Sequence, residues 1–221
     1  MILAARSEDA EYGRAIESLC QRYWRPIYVW VRQSGRSVED AQDLTQAFFA
    51  KVLEQESIGK AERARGRFRT YLLAMLANFL ADDWDRSRAA RRGGGKLVFS
   101  LNVASTEASE ALEVSDRVSP ERAFDRRWAW DVIEQARVLL RAECAAARKS
   151  EIFEALFVCA AEETQASLAA RLGLSENAVK MTSRRLRRRL EELIRAVVAD
   201  TVSTQAELDE EIKQLIEALA E

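Results

Sequence analysis

Six cations and no acid stand between Lys180 and Leu190: Lys180, Arg184, Arg185, Arg187, Arg188 and Arg189. On a helix, Asn177, Lys180, Met181, Arg184, Arg185 and Arg188 recur at steps of three and four and therefore share a face. A solvated helix surface ordinarily mixes signs to gain i,i+4 pairing. A face of one sign suits a different task, contact with phosphates and base edges in a DNA major groove. A second group of chemically capable residues runs from Lys60 to Lys96, with ten cations against four acids. There Arg63, Arg65, Arg67 and Arg69 precede an apolar helix that carries Phe68, Tyr71, Asn78 and Trp84, and Arg86, Arg88, Arg91 and Arg92 follow. Cations beside aromatic rings suit single-stranded nucleic acid, where rings stack on bases and cations track phosphates. Trp84 is expected in the core, Tyr71 less so.

Each group needs an element to hold it. Thr164 to Leu190 reads TQASLAARLGLSENAVKMTSRRLRRRL. Leu168, Leu172, Leu174 and Val179 are spaced to let two short helices share one small core, with Ala169 small where they cross. Gly173 stands where the first helix must stop and reverse, which requires tolerance of positive φ. Ser175 is placed as the N-cap of the second helix, and Glu176 faces its dipole. Val179, Thr182, Leu186 and Leu190 form the inner side. The pattern is a helix-turn-helix whose second helix is shaped for a major groove.

Upstream, Arg6 to Ser34 presents Ile16, Leu19, Cys20, Tyr23, Trp24, Ile27, Tyr28 and Val31 on one helical face, and Pro26 is expected to kink or restart that helix. Gly35 ends it, and Ser37 with Asp40 resembles a capping box. Val38 to Leu53 forms the next helix, with Ala41, Leu44, Phe48 and Val52 inward, assisted by Phe49. Its Asp40, Asp43 and Gln46 lie on another face without a cation, either as helix-start acids or as a docking face for a basic partner. Phe68 to Trp84 is strongly apolar. Gly93-Gly94-Gly95 lacks the spacing of a phosphate-cradling loop and reads as a basic hinge. Leu97 to Pro120 shows no strong period and reads as a linker. Ser119-Pro120 opens a helix bearing Phe124, Trp128, Trp130, Val132, Ile133, Leu139 and Leu140, and Ser150 to Ala161 forms another. Ser203 to Glu221 is an acidic amphipathic helix with Leu208, Ile212, Leu215, Ile216 and Leu219 on one face. It is expected to pack on its own domain or to act as a regulatory latch.

The chain has 221 residues, 48% of them hydrophobic, with two prolines and almost no strand-like alternation, so the expected class is all-α. Net charge is only −2, but the sign is segregated: Glu191 to Glu221 holds nine acids against two cations. No histidine is present, and Cys20, Cys144 and Cys159 lie far apart. That pattern argues against Cys/His zinc sites and a disulfide framework. With no nucleophile motif and no phosphate loop, an enzyme is poorly supported, and no catalytic, metal or cofactor residue is expected. No apolar run reaches the ~18 residues of a membrane span, so membrane insertion is not expected, and a cytoplasmic location is.

These pieces together resemble the group IV (extracytoplasmic-function) sigma factors of bacterial RNA polymerase, in particular a subgroup with an extended C-terminus. DAQDLTQAFFAKVL, Asp40 to Leu53, is similar to the family's core-binding helix pattern DAEDLxQxxFxxxW, with Gln42 and Leu53 departing from it. Asn78, Asp82 and Arg86 match the Asn-x-x-x-Asp and trailing basic residue of the region that melts the downstream promoter element. Gly173, Ser175, Val179, Lys180, Arg185 and Leu186 match the helix-turn-helix that reads the upstream element.

The resemblance implies two helical domains, residues 1–96 and 121–200, joined by a linker at 97–120 and followed by the helix at 201–221. It implies that Asp40, Asp43, Leu44 and Gln46 meet core polymerase. Arg67, Phe68, Tyr71 and Asn78 would lie near the melted strand, with Arg86 and Arg88 on the duplex backbone. Asn177, Lys180, Met181, Arg184, Arg185 and Arg188 would enter the upstream groove. The implied partners are core polymerase and promoter DNA, with an anti-sigma protein or a Ser/Thr kinase as candidate regulators. Thr45 is the kinase candidate, where phosphate would add the charge that Gln42 lacks. A stand-alone helix-turn-helix regulator is the alternative, but it leaves the basic-aromatic block unexplained.

Overall fold

A computed structural model describes residues 10–54, 68–90, 118–157 and 165–220. Among the described residues there are eight helices and no strand: α1 (Ala10–Gln33), α2 (Val38–Glu54), α3 (Phe68–Ala90), α4 (Pro120–Ala146), α5 (Ser150–Phe157), α6 (Gln165–Leu172), α7 (Glu176–Ala199) and α8 (Gln205–Ala220). The class is all-α, as the periodicity requires. No helix among the described residues is long and apolar enough to cross a membrane.

The helices sort into two compact units. The first gathers Met1–Ala129 with Asp200–Glu221, and the second is Trp130–Ala199. The second unit is thus an insertion in the first, and α4 begins in one and ends in the other. The linker expected at 97–120 falls mainly outside the described residues, and its end at Pro120 is the first residue of α4. The expected C-terminal segment at 201–221 belongs to the first unit rather than standing apart.

In the first unit the core is aromatic. Tyr23, Ile27 and Val31 of α1 meet Phe48 of α2, Leu72 and Leu76 of α3, and Phe124 and Trp128 of α4, all at most 2% exposed. Tyr23 packs between Phe68 and Phe124, with ring centroids 5.3 and 6.5 Å away. Such ring pairs add roughly 0.5–1.5 kcal/mol each beyond area burial. Pro26 does not end or restart α1, which continues through it to Gln33. The proline forfeits one backbone donor, and burial of its neighbours Tyr23, Ile27 and Val31 outweighs that local cost.

The helix ends follow their sequence signals. Ser37 Oγ accepts from the Asp40 amide at 3.0 Å, and Ser119 Oγ accepts from the Arg122 amide at 3.3 Å, with Pro120 at the first helical position. Gly35 closes α1 at φ +83°.

In the second unit, Leu168, Ala169 and Val179 are buried together with Ala155, and Leu156 and Leu172 pack against them. Two of these come from α5, so the helix-turn-helix borrows part of its core from the preceding helix. Leu174 does not join it and is 38% exposed. It follows the left-handed turn at Gly173 (φ +63°), where its amide donates to the Ala169 carbonyl at 2.9 Å while Gly173 donates to Ala170 at 3.3 Å. That pair of bonds closes the α6 C-terminus as a Schellman turn and aims Leu174 outward. An added Cβ at Gly173 would meet nothing within 4 Å, so any cost of Gly173→Ala is conformational. The expected loss is about 1–2 kcal/mol, read as a lower denaturant midpoint with unchanged slope.

Candidate nucleic-acid interface

A helix that reads a groove needs one free face, and the outer side of α7 is exposed along its first half. Ser175 caps its start, with Oγ accepting from the Ala178 amide at 3.2 Å. Val179 anchors the inner side, and Leu193, Val197 and Val198 bury the far end. Asn177, Lys180, Met181, Arg184, Arg185 and Arg188 are all exposed on the outer side, over about 16 Å of helix axis at 1.5 Å per residue. The structure therefore brings all six residues predicted for the upstream element onto one surface. Among the described residues Lys180, Arg184, Arg185 and Arg187 have no ion-pair partner. Arg188 makes only a loose contact with Glu192, 3.7 Å, while remaining 82% exposed.

Arg189, the sixth cation of the run, faces elsewhere. Its guanidinium donates to both carboxylate oxygens of Glu143 on α4, at 2.9 and 2.7 Å, and to Glu192 at 2.9 Å. This fork ties α7 to α4 and withdraws Arg189 from the outward face of α7. The same hydrogen bonds hold the Glu143 carboxyl below its ordinary range. A lowered carboxyl contributes stability above its unfolded value and loses it as pH falls through the folded one. Because both side chains are more than 40% exposed, that contribution is small. In Arg189→Ala the Glu143 titration is expected to move up into the ordinary carboxylate range, followed by NMR of the side-chain carboxyl.

The downstream group separates into distinct fates. Tyr71 and Asn78 lie seven residues apart on α3, with Asp82 four further on, and so share a face; Asn78 and Asp82 are exposed and Tyr71 is half-buried. Phe68 is not on that surface. It is 4% exposed, with its ring against Tyr23, because positions 68, 72, 76 and 79 make the inner stripe of α3. Trp84, expected inside, is 53% exposed since it stands one residue past that stripe. Its ring carries the Arg36 guanidinium at 5.7 Å, and Arg36 also pairs with Asp83 at 3.2 Å. Arg67 lies outside the described residues, as do the side chains of Arg86 and Arg88, whose positions fall near the end of α3.

On α2, Asp40 and Asp43 are exposed, and Leu44 and Gln46 are half-buried at the edge of the core stripe. The four predicted polymerase-facing residues are thus spread over the exposed side of one helix. Thr45 differs. It is fully buried, and its hydroxyl donates to the Ala41 carbonyl at 2.7 Å, so a kinase has no access to it in the folded chain. Phosphate there would also place charge in an apolar core.

Arg69, which by sequence belongs with the basic group Arg63, Arg65 and Arg67, is only 5% exposed. Its Nε donates to Glu211 of α8 at 2.9 Å, its Nη1 donates to Asp125 of α4, and its guanidinium lies 4.8 Å from the Trp128 ring centroid. Glu211 is 2% exposed. Burial pushes the Asp125 carboxyl up, Arg69 opposes that shift and Glu211 adds to it. Burial and the Glu211 charge push the neighbouring Tyr23 phenol up to about 12.

This cluster was missed at the sequence level, although one signal was present. Glu211 stands inside the stripe Leu208, Ile212, Leu215, Leu219 of α8, and an acid inside an apolar stripe needs a buried cation. Among the described residues no three metal-ligating side chains converge. Comparison with known protein families, curated proteins and solved structures finds no match to this chain.

Proposed function

We propose that this chain is a sigma factor of bacterial RNA polymerase, of the group IV kind, that selects promoters and assists strand opening. The observation that carries the reading is the outward face of α7. It presents Asn177, Met181 and the exposed cations Lys180, Arg184, Arg185 and Arg188, the first three without an ion-pair partner among the described residues, behind a capped helix-turn-helix. The exposed Asn78 on α3 and the exposed Asp40 and Asp43 on α2 supply the second DNA surface and the polymerase face. Each DNA surface alone binds weakly, and mounting both on one polymerase raises their effective concentration. A net charge of −2 suits this, because a free chain that gripped DNA strongly would be sequestered on non-specific sites. In this reading the protein works in the cytoplasm as a binding protein rather than an enzyme, and an anti-sigma protein would compete for the α2 face.

The test is run-off transcription with bacterial core polymerase on a library of promoter fragments, with and without the protein. Defined start sites that depend on its addition are expected. Absence of transcripts, together with retardation of defined duplexes by the protein alone, would instead establish a stand-alone helix-turn-helix regulator.

A further inference from the structure

The outward face of α7 is polar and cationic with one exception near its middle. On a helix of about 3.6 residues per turn, Lys180 and Arg185 take the two edges of that face, about 140° apart, and Asn177, Met181, Arg184 and Arg188 fall between them. Met181 is the only large hydrophobic side chain of α7 left exposed, at 44%. Val179, Leu193, Val197 and Val198 of the same helix are buried. Met181 also stands in the second turn, close to the end that Ser175 caps.

A face that only gripped phosphates would gain nothing from a methionine among its cations. Long cations at the edges of a docked helix reach the strands on either side, whereas the middle of its N-terminal half looks onto base edges. The apolar group that base edges offer in the major groove is the C5 methyl of thymine. A thioether chain suits it, being unbranched and adaptable and bringing no donor that would lose its water partner. Cytosine presents an amino donor and no methyl at that place, so the same contact turns it away.

We propose that Met181 is a specificity-determining residue that packs on the C5 methyl of a thymine in the duplex element read by α7. The contact rests on α7 being a recognition helix, whether polymerase carries it or not. Burying one methyl group amounts to about fourfold in affinity. A thymine at this place is therefore favoured over deoxyuridine by about that factor, and over cytosine by more.

The test joins the full chain, and separately its Met181→Ala variant, to bacterial core polymerase and measures binding to promoter fragments selected by run-off transcription. Thymines of the upstream element are replaced one at a time by deoxyuridine, which keeps every hydrogen-bonding group and lacks only the methyl. At one or two neighbouring positions this is expected to weaken the parent about fourfold and Met181→Ala by less than about 1.5-fold. Met181→Leu keeps an apolar side chain and should retain most of the sensitivity. Because the side chain is exposed, both variants should melt as the parent does. No responsive position in the parent, an element without thymine included, would overturn the methyl contact, as would equal loss in the parent and Met181→Ala. If polymerase gains nothing from the chain but the free chain retards defined duplexes, the same replacements are made in those duplexes. A methyl response lost with Met181→Ala would then uphold the contact and reject the sigma reading. A chain that binds no duplex in either form overturns both.

Discussion

A chain carrying both Arg184→Ala and Arg185→Ala is expected to lose promoter-directed transcription almost entirely while melting at an unchanged temperature. Both side chains are exposed on the outward face of α7 and have no ion-pair partner among the described residues. Nothing in the fold rests on them, and alanine is the better helix former, so stability should shift by no more than about 0.5 kcal/mol. On DNA the two removed charges should cut the slope of log affinity against log salt by roughly two and lower affinity by about ten- to a hundredfold. The single variants then divide the roles. A substitution that weakens some upstream sequences more than others marks a base contact, and one that weakens all alike marks a phosphate contact. Arg189→Ala is the internal control, since its guanidinium is spent on Glu143 and Glu192. If the double variant transcribes as well as the parent, the α7 face is not a DNA surface and the central reading falls.

What the sequence disclosed and what it withheld follow from the range of the forces involved. Gly173, Ser175, Ser37 and Ser119-Pro120 marked helix ends correctly, because caps and left-handed turns are fixed by residues within one turn of each other. The outward face of α7 was equally legible, since three- and four-residue spacing decides which side chains share a face. Placements that depend on where an inner stripe begins were less secure. A shift of one residue puts Trp84 outside and Phe68 inside, and composition does not report that shift. The spacing of Leu174 from Leu168, Leu172 and Val179 reads as core, while the Schellman turn before it aims it at solvent. The local cost of Pro26 predicts a break, although the packing around it is non-local and larger, and α1 runs on to Gln33.

The hardest feature to read was the charge of Arg69. Arg63, Arg65, Arg67 and Arg69 are the same residue at regular intervals, and a local reading gives all four one role. What distinguishes Arg69 lies 56 and 142 residues away, in Asp125 and Glu211. Only the acid inside the α8 stripe hinted that a cation must come to it. The consequence reaches beyond one residue. The acidic tail, expected to pack on its own domain or to act as a latch, is a helix of the first unit with Glu211 and Leu215 buried. The chain's own C-terminal segment thus completes the unit that carries the α2 and α3 surfaces.

Arg69→Ala should therefore behave as a core lesion and not as a lost nucleic-acid contact. Removing the guanidinium takes a hydrogen-bonded counter-charge from the buried Glu211, breaks the pair with Asp125 and uncovers one face of Trp128. Breaking a buried pair from one side costs roughly 3–5 kcal/mol, a large fraction of the stability of an ordinary domain. The second unit contains none of these residues, so the loss should appear as earlier unfolding of the first unit while α6 and α7 keep their hydrogen-exchange protection. A DNA-contacting arginine would give the opposite pattern, with stability preserved, affinity reduced and the salt slope shallower by about one. Arg69→Lys sharpens the distinction. An ammonium keeps the charge but cannot fork between two carboxylates while lying over the indole. At a phosphate contact it would restore most of the function, whereas at this buried site it should recover only a small part of the lost stability. Denaturant unfolding of the parent and both variants, followed by intrinsic tryptophan fluorescence, with Trp128 packed beneath Arg69, decides between them.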